Sequence, residues 1–285
     1  MPCSPPRTRK ISQRHDQRGS QLVTEAAHHS TGAAAGALSG SGSSSSSPAG
    51  VLVIGAGGLG CPAVFGLAAA GVRRVGVVDD DRVELTNIHR QFFHTVTTVG
   101  ALKVESLAQA VALRFPETTI ETHAIRFDAS SAPDLVARYA VLVDGSDNFA
   151  TKFLANDAAV LAGRPLVHGA AVGMGGQLLT VPAGGRPCYR CLFEDLPPEG
   201  VGASCAEAGV LGPVPGVIGA LQAAEAVRLL RGESPRFSGR LFQYDSAPMS
   251  IRTVQFKPNA VCGVCGPSPR IFSLDASAYP APACF

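Results

Sequence analysis

Apolar and polar positions follow two rhythms along most of the chain. VLVIG, starting at Val51, is a short β-branched run ending in GAGGLG, and CPAVFGLAAAGV continues with helical spacing. The apolar run RRVGVVD comes next, so the pattern predicts strand, glycine turn, helix, strand. Helical spacing returns in KVESLAQAVALRF. Strands are predicted at TIETHAI and in YAVLVDGSD, then a helix at KFLANDAAVLAG and a strand at PLVHGAAV. Alternating strands and helices predict an α/β, Rossmann-like fold with a mostly parallel sheet and helices on both faces. GQLLTVPA, GRLFQYD and SIRTVQF read as later strands of antiparallel character. Among them the amphipathic helix VIGALQAAEAVRLLRG closes at Gly232.

Residues 1–50 lack both rhythms. They carry basic residues and few acids, then pass into TGAAAGALSGSGSSSSSPAG, a composition that buries too little apolar surface to offset ordering entropy and reads as disordered. Such a start permits an organelle transit segment; the chain is otherwise expected to be cytoplasmic. The net charge of +2 gives no reason to expect a nucleic-acid or anionic-membrane partner. No apolar stretch reaches the roughly 18 residues that a bilayer span needs.

Gly55, Gly57 and Gly60 satisfy G-x-G-x-x-G after a strand and at a helix start, where glycine lets backbone approach a ligand and helix N–H groups attract phosphate. Asp79 ends the next strand, where an acid accepts hydrogen bonds from ribose hydroxyls. A tight turn in an α/β sheet would also explain the glycines, and a dehydrogenase is the default reading of this fingerprint. VVDDDRVELTNIHRQFF (residues 77–93) argues otherwise, because Asn87 and Arg90, and then Lys103, suit a triphosphate. GSDN places Asp147 just beyond an apolar run, where a carboxylate can hold magnesium bridging phosphates. Arg90 or Lys103 alone reads equally well as a solvated helix charge. In this order the set favours ATP. Asp80 should point away from Asp79 and Asp81 on an extended chain, and His89 is expected to be structural.

Cys188/Cys191 and Cys262/Cys265 form two C-x-x-C pairs among eight cysteines. With no signal peptide, that spacing reads as a reduced, four-thiolate structural zinc site rather than a disulfide framework. Cys61 is expected to be a packed small side chain, and Cys3 and Cys284 receive no role. Cys205, in GVGASCAEAGV, is a candidate covalent residue without a paired base.

GAGGLG, DDDRVELTNIHRQ, the lysine of VGALKVES, DGSDN, CYRCL, SCAEAGVLGP and CGVCG resemble the MoeB/ThiF/HesA family over residues 51–266. That leaves 1–50 as a low-complexity segment and 267–285 as a tail. The resemblance implies an eight-stranded sheet, a homodimer, and adenylation of the C-terminal Gly-Gly carboxylate of a ubiquitin-like sulfur carrier protein, with release of pyrophosphate. It also implies that Gly55, Gly57, Gly58, Asp79, Asn87, Arg90, Lys103, Asp147 and Asn148 contact ATP or its Mg2+, with Asp81 and Gln91 as supporting members. Zn2+ would be structural, and in some relatives the cysteine matching Cys205 forms a thioester or persulfide.

Two departures from the family stand out. Relatives carry an arginine-bearing N-terminal arm ahead of the first strand, and here Arg14 is its nearest counterpart. The stretch after Cys265 is short, so a separate sulfurtransferase is expected to supply sulfur. Molybdopterin cofactor synthesis is the first pathway expected. The alternatives are activation of the thiamine carrier and a degenerate, non-catalytic carrier-binding protein.

Overall fold

The computed structural model of the chain describes residues 49–197 and 209–280. Eight strands form one sheet in the order β3-β2-β1-β4-β5-β6-β7-β8. Strands β1 (Val51–Ile54), β2 (Arg74–Val78), β3 (Thr119–His123), β4 (Val141–Asp144) and β5 (Leu166–Val172) are parallel. β6 (Gly175–Val181), β7 (Arg240–Asp245) and β8 (Ser250–Gln255) extend the sheet antiparallel. β1 and β4 are buried at every position, as parallel strands covered on both faces must be.

The period-two alternation of these strands sorts their side chains to two cores. Val51 and Val53 of β1, with Val75 and Val77 of β2, face α1 (Gly60–Ala69), α2 (Lys103–Arg114) and the helix at Pro213–Leu230. Leu52, Ile54 and Leu142 face α3 (Ala132–Ala137) and α4 (Phe149–Leu161), in a core that also takes in Cys188, Cys262 and Cys265. The Pro213–Leu230 helix, α5, lies close against α1. A Cβ on Gly219 would come within 2.4 Å of the Leu59 carbonyl oxygen, so only glycine permits this approach.

The predicted strands and helices all form, with shifted ends. α4 starts at Phe149 because the Asn148 side chain accepts from Thr151 N at 2.9 Å and caps it. α5 starts at Pro213, where proline suits the first helical positions. The six-residue α3 has no counterpart in the predicted pattern, being too short to show a period. Among the described residues no helix is long and apolar enough to cross a membrane. Cys205, Arg14, Cys3 and Cys284 lie outside the described residues.

Candidate active site

β1 leads toward β2 on one side of the sheet, while β4 and β5 lie on its other side, so the strand order reverses at β1 and β4. Crevices at the carboxyl ends of such strands are where α/β sheets bind ligands. Here the crevice is a cavity of about 330 Å³ lined by the glycine loop, Asp79 to Asp81, Arg90, Gln91, Lys103 and the 145–148 loop.

The glycine loop is shaped by close backbone approach. Gly55 has φ +93°, and a Cβ on Gly60 would overlap the Gly55 carbonyl oxygen at 1.8 Å. No side chain caps α1 and no acid sits in its first turn. Gly57, Gly58 and Leu59 therefore bring an uncapped helix N-terminus to the cavity wall, favourable for phosphate. Behind the loop, buried His94 donates from Nε2 to the Ala56 carbonyl at 2.9 Å and accepts at Nδ1 from Ser106 at 2.9 Å. Burial holds its pKa below the ordinary histidine range, which keeps this neutral tautomer in place. Cys61 is fully buried beside His94 and packs as a small side chain. Burial pushes its thiol up.

Asp79 serves the loop as well as the cavity: Oδ2 accepts from Ala56 N at 2.7 Å and Oδ1 from Asp81 N at 2.9 Å. Burial raises its pKa, against the pull of Lys103 and these two donors. The expectation for Asp80 is corrected: β2 ends at Val78, so strand alternation does not extend through the acids, exposed Asp80 lines the cavity, and oxygens of all three acids lie within 4.8 Å of one another.

Lys103 opens α2 and is 6% exposed, with Nζ 2.6 Å from Asp81 Oδ2. Burial works against its charge, and Asp79, Asp81 and Asp147 outweigh that, so its pKa is raised. Asn87 does not line the cavity. It sits one step back, its Oδ1 accepting from Arg90 Nη2 at 2.9 Å, which aims the guanidinium. Gln91 is buried at the wall and its Oε1 has no protein partner, leaving an acceptor for a ligand donor. Asp147 is exposed on the cavity, with Asn148 beside it. His89 bonds only its own turn, through Nδ1 to Thr86 O at 2.9 Å.

Sequence patterns missed several wall residues. Arg126 and Phe127 follow β3, Ser146 lies between the two acids of DGSD, and Pro215 lies in the first turn of α5. Each comes from a separate carboxyl-end loop or helix start, and only the strand order reveals that these loops converge. The donor chemistry fits a magnesium–nucleotide complex: exposed carboxylates at Asp80, Asp81 and Asp147, two cations and an open helix N-terminus.

The four paired cysteines meet on the other core. Cys188 and Cys262 sulfurs are 3.6 Å apart, Cys191 and Cys265 3.3 Å, and Cys188 and Cys191 4.0 Å. Zinc with four sulfurs at about 2.3 Å spaces them by about 3.8 Å, so the donor set fits Zn2+. Burial and the neighbouring sulfurs push the Cys188 thiol up, and burial and Cys191 push Cys265 up to about 12, while at Cys262 burial is outweighed by backbone hydrogen bonds from Cys265 and Val264, which lower it. Arg190, inside the first knuckle, donates to Asp157 of α4 at 2.8 Å, and Tyr279 of the tail donates to the same carboxylate at 2.7 Å.

The ThiF family profile matches residues 36–264. The chain is 44% identical over 225 residues to "Adenylyltransferase and sulfurtransferase MOCS3" of Aedes aegypti, covering 79% of this chain and 52% of the relative. It thus spans about half the length of that curated relative. A "Sulfur carrier protein adenylyltransferase" of Thermus thermophilus is 44% identical over 226 residues, 78% of this chain and 83% of the relative. The E. coli MccB crystal structure shares the fold, with TM-score 0.69 at 23% identity over 78% of this chain and 66% of that one.

Proposed function

The chain belongs to the ThiF family, and from that premise we propose that it is an ATP-dependent adenylyltransferase acting on the C-terminal Gly-Gly carboxylate of a ubiquitin-like sulfur carrier protein. The carrying observation is the convergence of the glycine loop, Asp79, Arg90, Lys103 and Asp147 on one cavity at the sheet's switch point. A hydride-transfer site has no use for Arg90, Lys103 and Asp147 together, whereas a triphosphate does. The Thermus thermophilus relative, matched over most of its length, carries the same activity in its name.

In this reading the α1 N-terminus and the glycine loop hold phosphate, while Asp79 and Gln91 accept from the ribose hydroxyls. A carboxylate is a poor electrophile, so the carrier's terminal oxygen attacks the α-phosphorus and the bond to pyrophosphate breaks, leaving an acyl-adenylate. No general base is needed, because the attacking carboxylate is already ionised. Arg90 and Lys103 neutralise the charge that grows on departing pyrophosphate. Magnesium, when held by Asp147, supplies further neutralisation and fixes phosphate geometry. The Cys188, Cys191, Cys262 and Cys265 thiolates would hold zinc and tie the two knuckles together. Cys205 and a sulfur donor belong to the later sulfur-transfer step, and the working unit is a homodimer. The molybdopterin carrier is the first to test and the thiamine carrier the second.

The test is exchange of labelled pyrophosphate into ATP with each carrier. Carrier-dependent exchange supports adenylation. Carrier binding with no carrier–AMP by mass spectrometry would make the protein a non-catalytic scaffold.

A further inference from the structure

Directly beneath the 145–148 loop lies a set of charges that the adenylation chemistry leaves unused. Asp144 ends β4 with no exposed surface, and parallel register sets His168 of β5 beside it. Asp144 Oδ2 accepts from His168 Nδ1 at 2.8 Å and from Lys152 Nζ of α4 at 3.0 Å. Lys152 also donates to the Gly169 carbonyl at 2.6 Å, so its ammonium bridges helix, β4 and β5. Gln222 of α5 donates to the Asp144 carbonyl at 2.7 Å from the other face of the sheet. Lys152, His168 and Gln222 are all buried.

A buried ion pair is a costly way to stabilise a fold, since an apolar pair of similar volume usually does as well. Burial works against the charge on Asp144. Lys152, with hydrogen bonds from His168 and Ser146, outweighs it and holds the carboxyl well below its usual range. The remaining oxygen shows what the charge is used for. Oδ1 accepts from Ser146 N at 2.9 Å and Ser146 Oγ at 2.5 Å, and Ser146 lines the cavity immediately before Asp147. The opposite end of the set is walled by Tyr189 of the first cysteine knuckle, whose ring lies 4.6 Å from the His168 ring. The Tyr189 N–H is itself fixed by Asn156 Oδ1 at 2.8 Å.

We propose that Asp144, Lys152 and His168 form a buried positioning unit that fixes the Ser146–Asp147 edge of the nucleotide cavity, backed by the cysteine knuckle through Tyr189. The inference rests on the adenylation reading and assigns these residues to positioning, since none of them touches the reacting atoms. Bonds at both Ser146 N and Oγ fix the backbone from which Asp147 projects, and misplacement by about 1 Å costs on the order of 10²-fold in rate.

The experiment measures carrier-dependent pyrophosphate exchange for His168→Ala, His168→Asn and the double variant Asp144→Asn/Lys152→Met. His168→Ala should lower kcat at least about 10-fold and raise the half-saturating Mg2+ concentration severalfold, while the carrier KM stays within about 2-fold. His168→Asn, whose Nδ2 takes the place of the ring Nδ1 and still donates to Asp144, should recover most of the loss. The double variant removes both buried charges together. It should keep a cooperative thermal transition and its zinc while showing the same kcat and Mg2+ defects. Unchanged kcat and Mg2+ dependence in folded variants overturns the inference alone. A kcat loss accompanied by an equal rise in carrier KM, without rescue by asparagine, overturns it in favour of a general packing role. A wild-type protein that shows no exchange with any carrier overturns the adenylation reading and this inference with it.

Discussion

The nucleotide cavity and the cysteine knuckles are both built from buried charges, but they differ in how those charges are satisfied. Around the knuckles the polar groups are spent on one another. Arg190 donates from Nε and Nη2 to Asp157, which also accepts from Asn156 and Tyr279. Around the cavity, several groups keep capacity in hand. Asp147 is exposed, the α1 N-terminus is uncapped, and Gln91 Oε1 is buried without a partner. A closed set holds parts of a fold together, and losing one member strands the others. An open set costs stability until a ligand completes it, so its members can be removed with little effect on folding.

That contrast is sharpest where a cavity residue is removed. Asp147→Ala should cut carrier-dependent exchange by about 10²–10³-fold and leave the thermal midpoint unchanged within about 1–2 °C. A comparable loss of stability would break the distinction. Cys262→Ser should behave the opposite way. Metal analysis should show loss of the bound zinc, and unfolding should be easier by about 3 kcal/mol. Exchange per folded molecule should fall far less than in Asp147→Ala.

A closed set remote from the cavity gives a smaller, pH-dependent effect. Glu121 of β3 takes a bidentate hydrogen bond from Arg74, with Tyr139 and Arg138 donating to the same carboxylate. Arg74 leads these interactions in lowering its pKa from 4.5 to about 2. The folded value is depressed, so the stabilisation is present above about 4.5 and is lost as pH falls toward about 2. Glu121→Gln should lower the thermal midpoint at neutral pH and flatten its decline across that window, with exchange unaffected. The smallest effect is expected of Asp81→Asn. Its side chain is 66% exposed, where a charge pair contributes about 0.2–1 kcal/mol. Exchange should fall by less than about fivefold as Lys103 loses one of its acids.

Much of the parallel half of the sheet was legible because short β-branched runs, glycine turns and helical spacing agree there. The glycine loop, Asp79, Lys103 and Asp147 could be singled out because they sit at or just beyond strand ends and helix starts, where sequence and sheet geometry coincide; Arg90 stood out by its charge, and Gln91 only through the family resemblance. Asp80 was misplaced because β2 ends at Val78 and alternation was assumed to continue beyond it. Asn87 reads as an amide donor in sequence, and its Oδ1 accepts from Arg90 in a bond that does not use its N–H donors. Lys152 lies in a helical pattern where a lysine looks solvated, and nothing local announces that α4 turns it onto Asp144. His168 sits in an apolar strand, and its partner comes from the neighbouring strand, 24 residues earlier in the chain. Such contacts depend on strand order, which single-segment patterns do not encode.

The most direct test of the central claim is pyrophosphate–ATP exchange by the purified, zinc-loaded full chain with a Gly-Gly-tailed carrier, run beside the same carrier lacking its terminal glycine. Exchange is expected only with the intact carrier, accompanied by carrier–AMP in the mass spectrum. Firm NAD(H) binding with neither ATP binding nor exchange would contradict it.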